Sequence, residues 1–139
     1  MKVDELMREA NKLGACEKSG LVSDWKSLAW LFFTPQGEEF CIEHNFPSLE
    51  MFNALECDLT EYGVYVDAGN IWLDNPRNAA IIGDTRATID IRGNACVHKI
   101  MLMHGAKAVI HASNYAVVRL IDEEMKAEVD KDETSIILY

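Results

Sequence analysis

The chain lacks most of what would mark it for export, for a membrane or for a metal. No run approaches the ~18 apolar residues of a membrane-spanning helix. The amino-terminal MKVDELMREANKLG interleaves charge with its apolar residues, so it offers no signal-peptide core. The four cysteines, Cys16, Cys41, Cys57 and Cys96, are widely spread and form no CxxC pair. That pattern suits buried thiols in a reducing compartment better than a disulfide framework, and a cytoplasmic location is expected. Cations are scarce as well: 13 Lys and Arg stand against 23 Asp and Glu, for a net charge of −10. With no basic patch evident along the chain, neither nucleic acid nor an anionic membrane is expected as a partner.

What is present suffices for burial. The chain has 139 residues, 49% of them hydrophobic, enough for one domain or two small units. Its character changes near Glu61, and the expected division is residues 1–61, helical, and residues 62–139, repetitive. In the first part Val3, Leu6, Met7, Ala10 and Leu13 recur at helical spacing, with Gly14 as a stop. Ser23 is the expected cap of a second helix carrying Trp25, Leu28, Leu31 and Phe32. Thr34 and Pro35 open a third with Phe40, Cys41 and His44, and Pro47 and Ser48 precede a fourth with Leu49, Phe52 and Leu55.

From Tyr62 onward the period falls to two. Apolar pairs occur at Ile71 and Leu73, Ala80 and Ile82, Ile89 and Ile91, Ile100 and Leu102, Ala108 and Ile110, Val118 and Leu120, Ala127 and Val129, and Ile136 and Leu138. Residues i and i+2 leave the same face of a strand, so each pair is read as the inward side of a short strand. Between the pairs lie Gly, Asn, Asp and Ser, the residues that tolerate corners. Strands at this spacing fit a short β-solenoid of about eight segments. An antiparallel meander or barrel is the alternative, disfavoured because the two-residue Asn-Gly and Asp-Gly hairpin loops are missing between the pairs.

The segments GNACVHKI, HGAKAVIHA and SNYAVVRLI resemble the nine-residue GNAxVxA-type repeats of β-helical proteins from Bacteroidetes and their phages or mobile elements. FFTPQGEEFCIEHNFPSLEMF is similar to the helical segment that precedes such repeats, so the likeness runs from about Phe32 to the end. It implies an α+β chain with a helical part before a β-helix, and no activity. At DEEMKAEVD charge replaces the repeat's small residues, a departure from a regular solenoid.

Chemistry-bearing candidates are few. Cys41 and His44 share CIEH without a second ligand pair. Cys96, His98, His104 and His111 fall close enough in sequence to be weighed as zinc ligands, but His104 reads as a turn residue and His98 and His111 as outward surface histidines. No cofactor is expected. Asp90, Arg92 and Arg119 lack the recurring acid pairs of a glycan-cleaving face, and Tyr65, Trp72 and Tyr115 are the aromatic candidates for a carbohydrate surface. Ile81, Met101, Met103, Val109 and Val117 are expected to face outward, and with Ile137 and Tyr139 at the final strand they form the candidate interaction surface. The expected function is therefore a non-enzymatic scaffold that self-associates or binds a protein partner. A carbohydrate-binding or carbohydrate-cleaving β-helix and a metal-binding regulator are the alternatives.

Overall fold

The computed structural model describes residues 1–15, 22–93 and 95–139. Two compact units divide the chain, Met1–Tyr62 and Gly63–Tyr139.

Among the described residues the first unit holds four short α-helices: α1 (Val3–Lys12), α2 (Trp25–Phe32), α3 (Pro35–His44) and α4 (Leu49–Ala54). Helix α1 buries Val3, Leu6 and Ala10 on one stripe, and Gly14 beyond its end adopts φ +88°, which a glycine takes without steric cost. The cap of α2 is Asp24 rather than Ser23. Its carboxylate accepts from the Ser27 backbone N–H at 2.8 Å, while the Ser27 hydroxyl accepts from the N–H groups of Ser23 and Asp24. Thr34 caps α3 by accepting from Gly37 N at 3.0 Å, with Pro35 in the first turn, and Ser48 caps α4 by accepting from Met51 N at 3.1 Å. Ring contacts tie the unit together, Phe32 on Phe52 at 5.8 Å and Phe40 edge-on to Phe46 at 5.7 Å.

The second unit is a parallel β-solenoid. Among the described residues its nine strands are β1 (Val64–Val66), β2 (Gly69–Asp74), β3 (Asn78–Ile82), β4 (Thr85–Arg92), β5 (Val97–Met103), β6 (Lys107–Ser113), β7 (Val117–Ile121), β8 (Ala127–Lys131) and β9 (Ile136–Leu138). They alternate between two parallel sheets, β1-β3-β5-β7-β9 and β2-β4-β6-β8, so each rung contributes one strand to each sheet. Pairing runs from rung to rung rather than along a hairpin, which removes the meander.

Inside, stacked columns form the core. Leu73, Ile89, Ile110 and Val129 lie in register on one sheet; on the other, Ala79, Ile100 and Leu120 follow one another, as do Ile81 and Leu102. Burying each large aliphatic side chain contributes about 1.5–3 kcal/mol. Small residues flank these columns, Ala87, Ala108, Ala112 and Ala116 among them, which keeps the bore narrow.

Corners are turned by residues at positive φ, including Asp67, Asn75, His104 and Asn114. Side chains then clamp one rung to the next. Asp67 Oδ1 accepts from Asp84 N at 2.7 Å and Asn75 Oδ1 from Arg92 N at 2.9 Å. Buried Thr85 accepts from Ala68 N and donates to Ile82 O. Asp132 receives the N–H groups of Asn114, Thr134 and Ser135 and both neighbouring hydroxyls. The Asn114 N–H and Thr134 hydroxyl contribute most to holding this carboxyl well below the usual carboxylate range.

Six of the eight expected inward pairs face the interior, and two are displaced by one residue. In β3 the interior residues are Ala79 and Ile81, so Ala80 and Ile82 point outward. In β9 Ile137 packs against the core, while Ile136 and Leu138 are 53% and 45% exposed. Both strands are apolar at every position in question, so alternation carries no frame. Register supplies it, since Ala79 lies beside Ile100 and Ile137 beside Val118.

Candidate functional site

The outer face of the four-stranded sheet carries three parallel columns of side chains. Asn70, Arg86 and Lys107 stand in register in the first, and Lys126, immediately before β8, extends it at the offset that aligns Ala108 with Ala127. Its carbonyl accepts the Ala108 N–H at 3.4 Å. The middle column is Trp72, Thr88, Val109 and Glu128. The third is Asp74, Asp90, His111 and Asp130.

The carboxylates of the third column find partners on the same sheet face. Arg92 Nη2 lies 2.8 Å from Asp74 Oδ1, the Trp72 indole N–H donates to Asp90 Oδ2 at 3.0 Å, and His111 Nδ1 is 3.4 Å from Asp130 Oδ2. The cations of the first column do not. Arg86, Lys107 and Lys126 are exposed and form no ion pair with any described residue. Like charges opposite one another on adjacent strands are destabilising, so this column opposes folding on its own. A shallow groove of about 340 Å³ runs along it, lined by Asn70, Arg86, Thr88, Lys107, Lys126 and Glu128 among others. The basic patch absent from the linear sequence is therefore present in space. Of the expected carbohydrate aromatics, Trp72 stands 62% exposed beside the groove, Tyr65 packs against the core, and Tyr115 is exposed at a corner.

The histidine and cysteine candidates scatter. His98 is not an outward surface residue: it shares the inward frame of Ile100 and Leu102, is 4% exposed, and its Nδ1 bonds the Pro76 carbonyl at 2.7 Å. An imidazole neutral at Nε2 satisfies that geometry by donating from Nδ1. Nε2 then faces Cys96 Sγ at 3.8 Å. His104 turns a corner at φ +57° and His111 sits on the other sheet. Among the described residues no three His, Cys, Asp or Glu side chains gather as metal ligands. In the helical unit Cys41 is 3% exposed, and burial, with Glu38 adding to it, pushes its thiol up to about 12; the His44 and Phe40 rings meet at a tilt of 45°, centroids 4.6 Å apart.

The expected interaction surface divides. Ile81 is wholly interior. Met101 and Met103 point outward from the bore but are only 1% and 7% exposed, so neither offers a free face. Val109 and Val117 are half-buried, Ile137 packs inward, and Tyr139 is 80% exposed. Val97, Val117 and Ile136 align as an outward apolar column that ends at β9.

No known protein family, curated protein or solved structure matches this chain. Among the described residues no helix is long and apolar enough to cross a membrane. The class is thus set by architecture alone, a helical unit followed by a short parallel β-solenoid.

Proposed function

We propose that the protein is a non-enzymatic β-solenoid scaffold that associates with a second copy of itself through its last rung. The outward apolar column of Val97, Val117 and Ile136, which runs onto the uncharged strand β9, carries this reading. Val97 and Ile136 in that column are 46% and 53% exposed. Edge strands that leave backbone groups and apolar side chains uncovered favour strand addition.

The two edges at this end differ in kind. Strand β8 carries Glu128, Asp130 and Lys131. Any antiparallel pairing of β8 with its own copy that keeps its faces continuous sets acid against acid, and like charges directly opposite are destabilising. Strand β9 is Ile136, Ile137 and Leu138, without charge. Two β9 strands paired about Ile137 set Ile136 against Leu138 of the second copy, and the five-stranded sheet continues across a two-fold axis.

Light scattering over a range of concentrations tests this, comparing the wild type with the double variant Ile136→Lys and Leu138→Lys. Both side chains are half-exposed and outward, so the fold should tolerate lysine there. The expected result is a wild-type dimer and a monomeric variant with unchanged circular dichroism. A wild type that stays monomeric at tens of micromolar or above, or a variant that still dimerises, overturns the proposal.

A further inference from the structure

Three unpaired cations stacked rung upon rung are an anomaly in a chain of net charge −10. Nineteen residues separate Lys107 from Lys126 and 21 separate Arg86 from Lys107, yet the parallel ladder brings them into one line. Adjacent strands lie about 4.8 Å apart, so the column presents one positive charge per rung at that rise. A ligand that neutralises it must be linear and carry anions at comparable intervals. A sugar chain with one acidic group per ring has such a spacing.

The neighbouring columns narrow the choice further. Trp72 offers an exposed ring face whose orientation is fixed by its hydrogen bond to Asp90, and Thr88 adds a hydroxyl beside it. Beyond them the carboxylates of Asp74, Asp90 and Asp130 run parallel to the cations, and Glu128 stands next to Lys126. Carboxylates accept hydrogen bonds from sugar hydroxyls, but they repel a nucleic-acid backbone laid across the sheet. The arrangement thus suits a chain with anions on one side and hydroxyl donors on the other.

We propose that the outer face of the four-stranded sheet is a binding site for a linear acidic polysaccharide. The sugar chain lies along the solenoid axis, its carboxylates or sulfates facing Arg86, Lys107 and Lys126 and one ring resting on Trp72. Binding relieves the repulsion within the cation column. It is independent of self-association through β9.

Titration calorimetry of the full chain with polygalacturonate, dextran sulfate, uncharged dextran and the single strand poly(dT) tests this. The expected result is binding of at least one acidic polysaccharide, carboxylated or sulfated, that weakens with salt, with dextran inert. Lys107→Glu should reduce that affinity by about tenfold or more. Lys26→Glu, the same charge change at an exposed position of α2, should leave it unchanged. Circular dichroism on both variants confirms that the fold persists. The proposal is overturned if neither acidic polysaccharide binds, if poly(dT) binds more tightly than both, or if Lys26→Glu weakens binding as much as Lys107→Glu.

Discussion

Replacing Ile110 with alanine tests the central geometric claim, that the bore is held open by columns of side chains in register. Ile110 is 0% exposed and sits between Ile89 and Val129, each on an adjacent rung. Ile-to-Ala changes in cores cost about 2–5 kcal/mol, depending on how far the surroundings collapse into the space. Here collapse is opposed, because backbone ladders fix Ile89 and Val129 on their own rungs at about 4.8 Å intervals. The loss should therefore fall in the upper part of the range, about 3–5 kcal/mol. For a unit of this size, at about 4–8 °C per kcal/mol, the melting temperature drops by more than about 12 °C. Val109→Ala is the matched control: the same strand, an outward and half-buried position, two methyl groups lost. At about 0.8 kcal/mol per fully buried methylene it should cost about 0.8 kcal/mol in all. Urea unfolding followed by the β-sheet signal in far-ultraviolet circular dichroism measures both. If Ile110→Ala costs under about 1 kcal/mol, or no more than Val109→Ala, the inward and outward assignment is wrong.

Two further outcomes follow from local geometry. Gly37→Ala should destabilise the helical unit by about 1–3 kcal/mol or more, read from its thermal melt, because the new Cβ would stand 1.8 Å from the Leu31 carbonyl oxygen, a backbone atom that cannot swing aside; an unchanged melt would refute that packing. Asp132 has a folded carboxyl well below the ordinary range, so it contributes stability that is present above the unfolded value near 3.9 and lost as pH falls toward the folded one. Asp132→Asn should accordingly melt below wild type at about pH 7, with the gap closing toward about pH 2; an equal gap at both would remove the hydrogen-bonded carboxylate as its cause.

The helices were legible because capping residues and apolar stripes are local signals. Thr34 with Pro35, and Ser48 before Leu49, did what such residues do, and the one displaced cap, Asp24 for Ser23, moved by a single position to a stronger acceptor. Alternation located strands β2 to β9 but fixed the frame only where polar residues interrupt it. In TRATIDIR every second residue is polar and the frame is correct, whereas in NAAII and IIL both faces are apolar. The same silence hides β1, where Val-Tyr-Val turns its tyrosine toward the core. His98 was misplaced for the opposite reason. A polar residue on an inward position looks solvent-facing until the carbonyl that satisfies it, Pro76 O, is brought across from 22 residues away.

The cation column was illegible because its register is unequal. Asn70 to Arg86 is a step of 16 residues, Arg86 to Lys107 of 21 and Lys107 to Lys126 of 19. The strands keep nearly constant pairing while the corners absorb the differences, so no fixed period aligns the charges in the linear chain. A local search for basic runs fails too, because each cation is flanked by neutral residues or acids, as in DTRAT, GAKAV and EMKAE. In a parallel solenoid, however, adjacency across rungs depends only on register, and one outward position per rung generates a continuous stripe. Surface chemistry in such a fold is written perpendicular to the chain, whereas the core is written along it. That difference explains how an acidic sequence with no basic segment presents a basic line on one sheet, with a line of carboxylates two columns away.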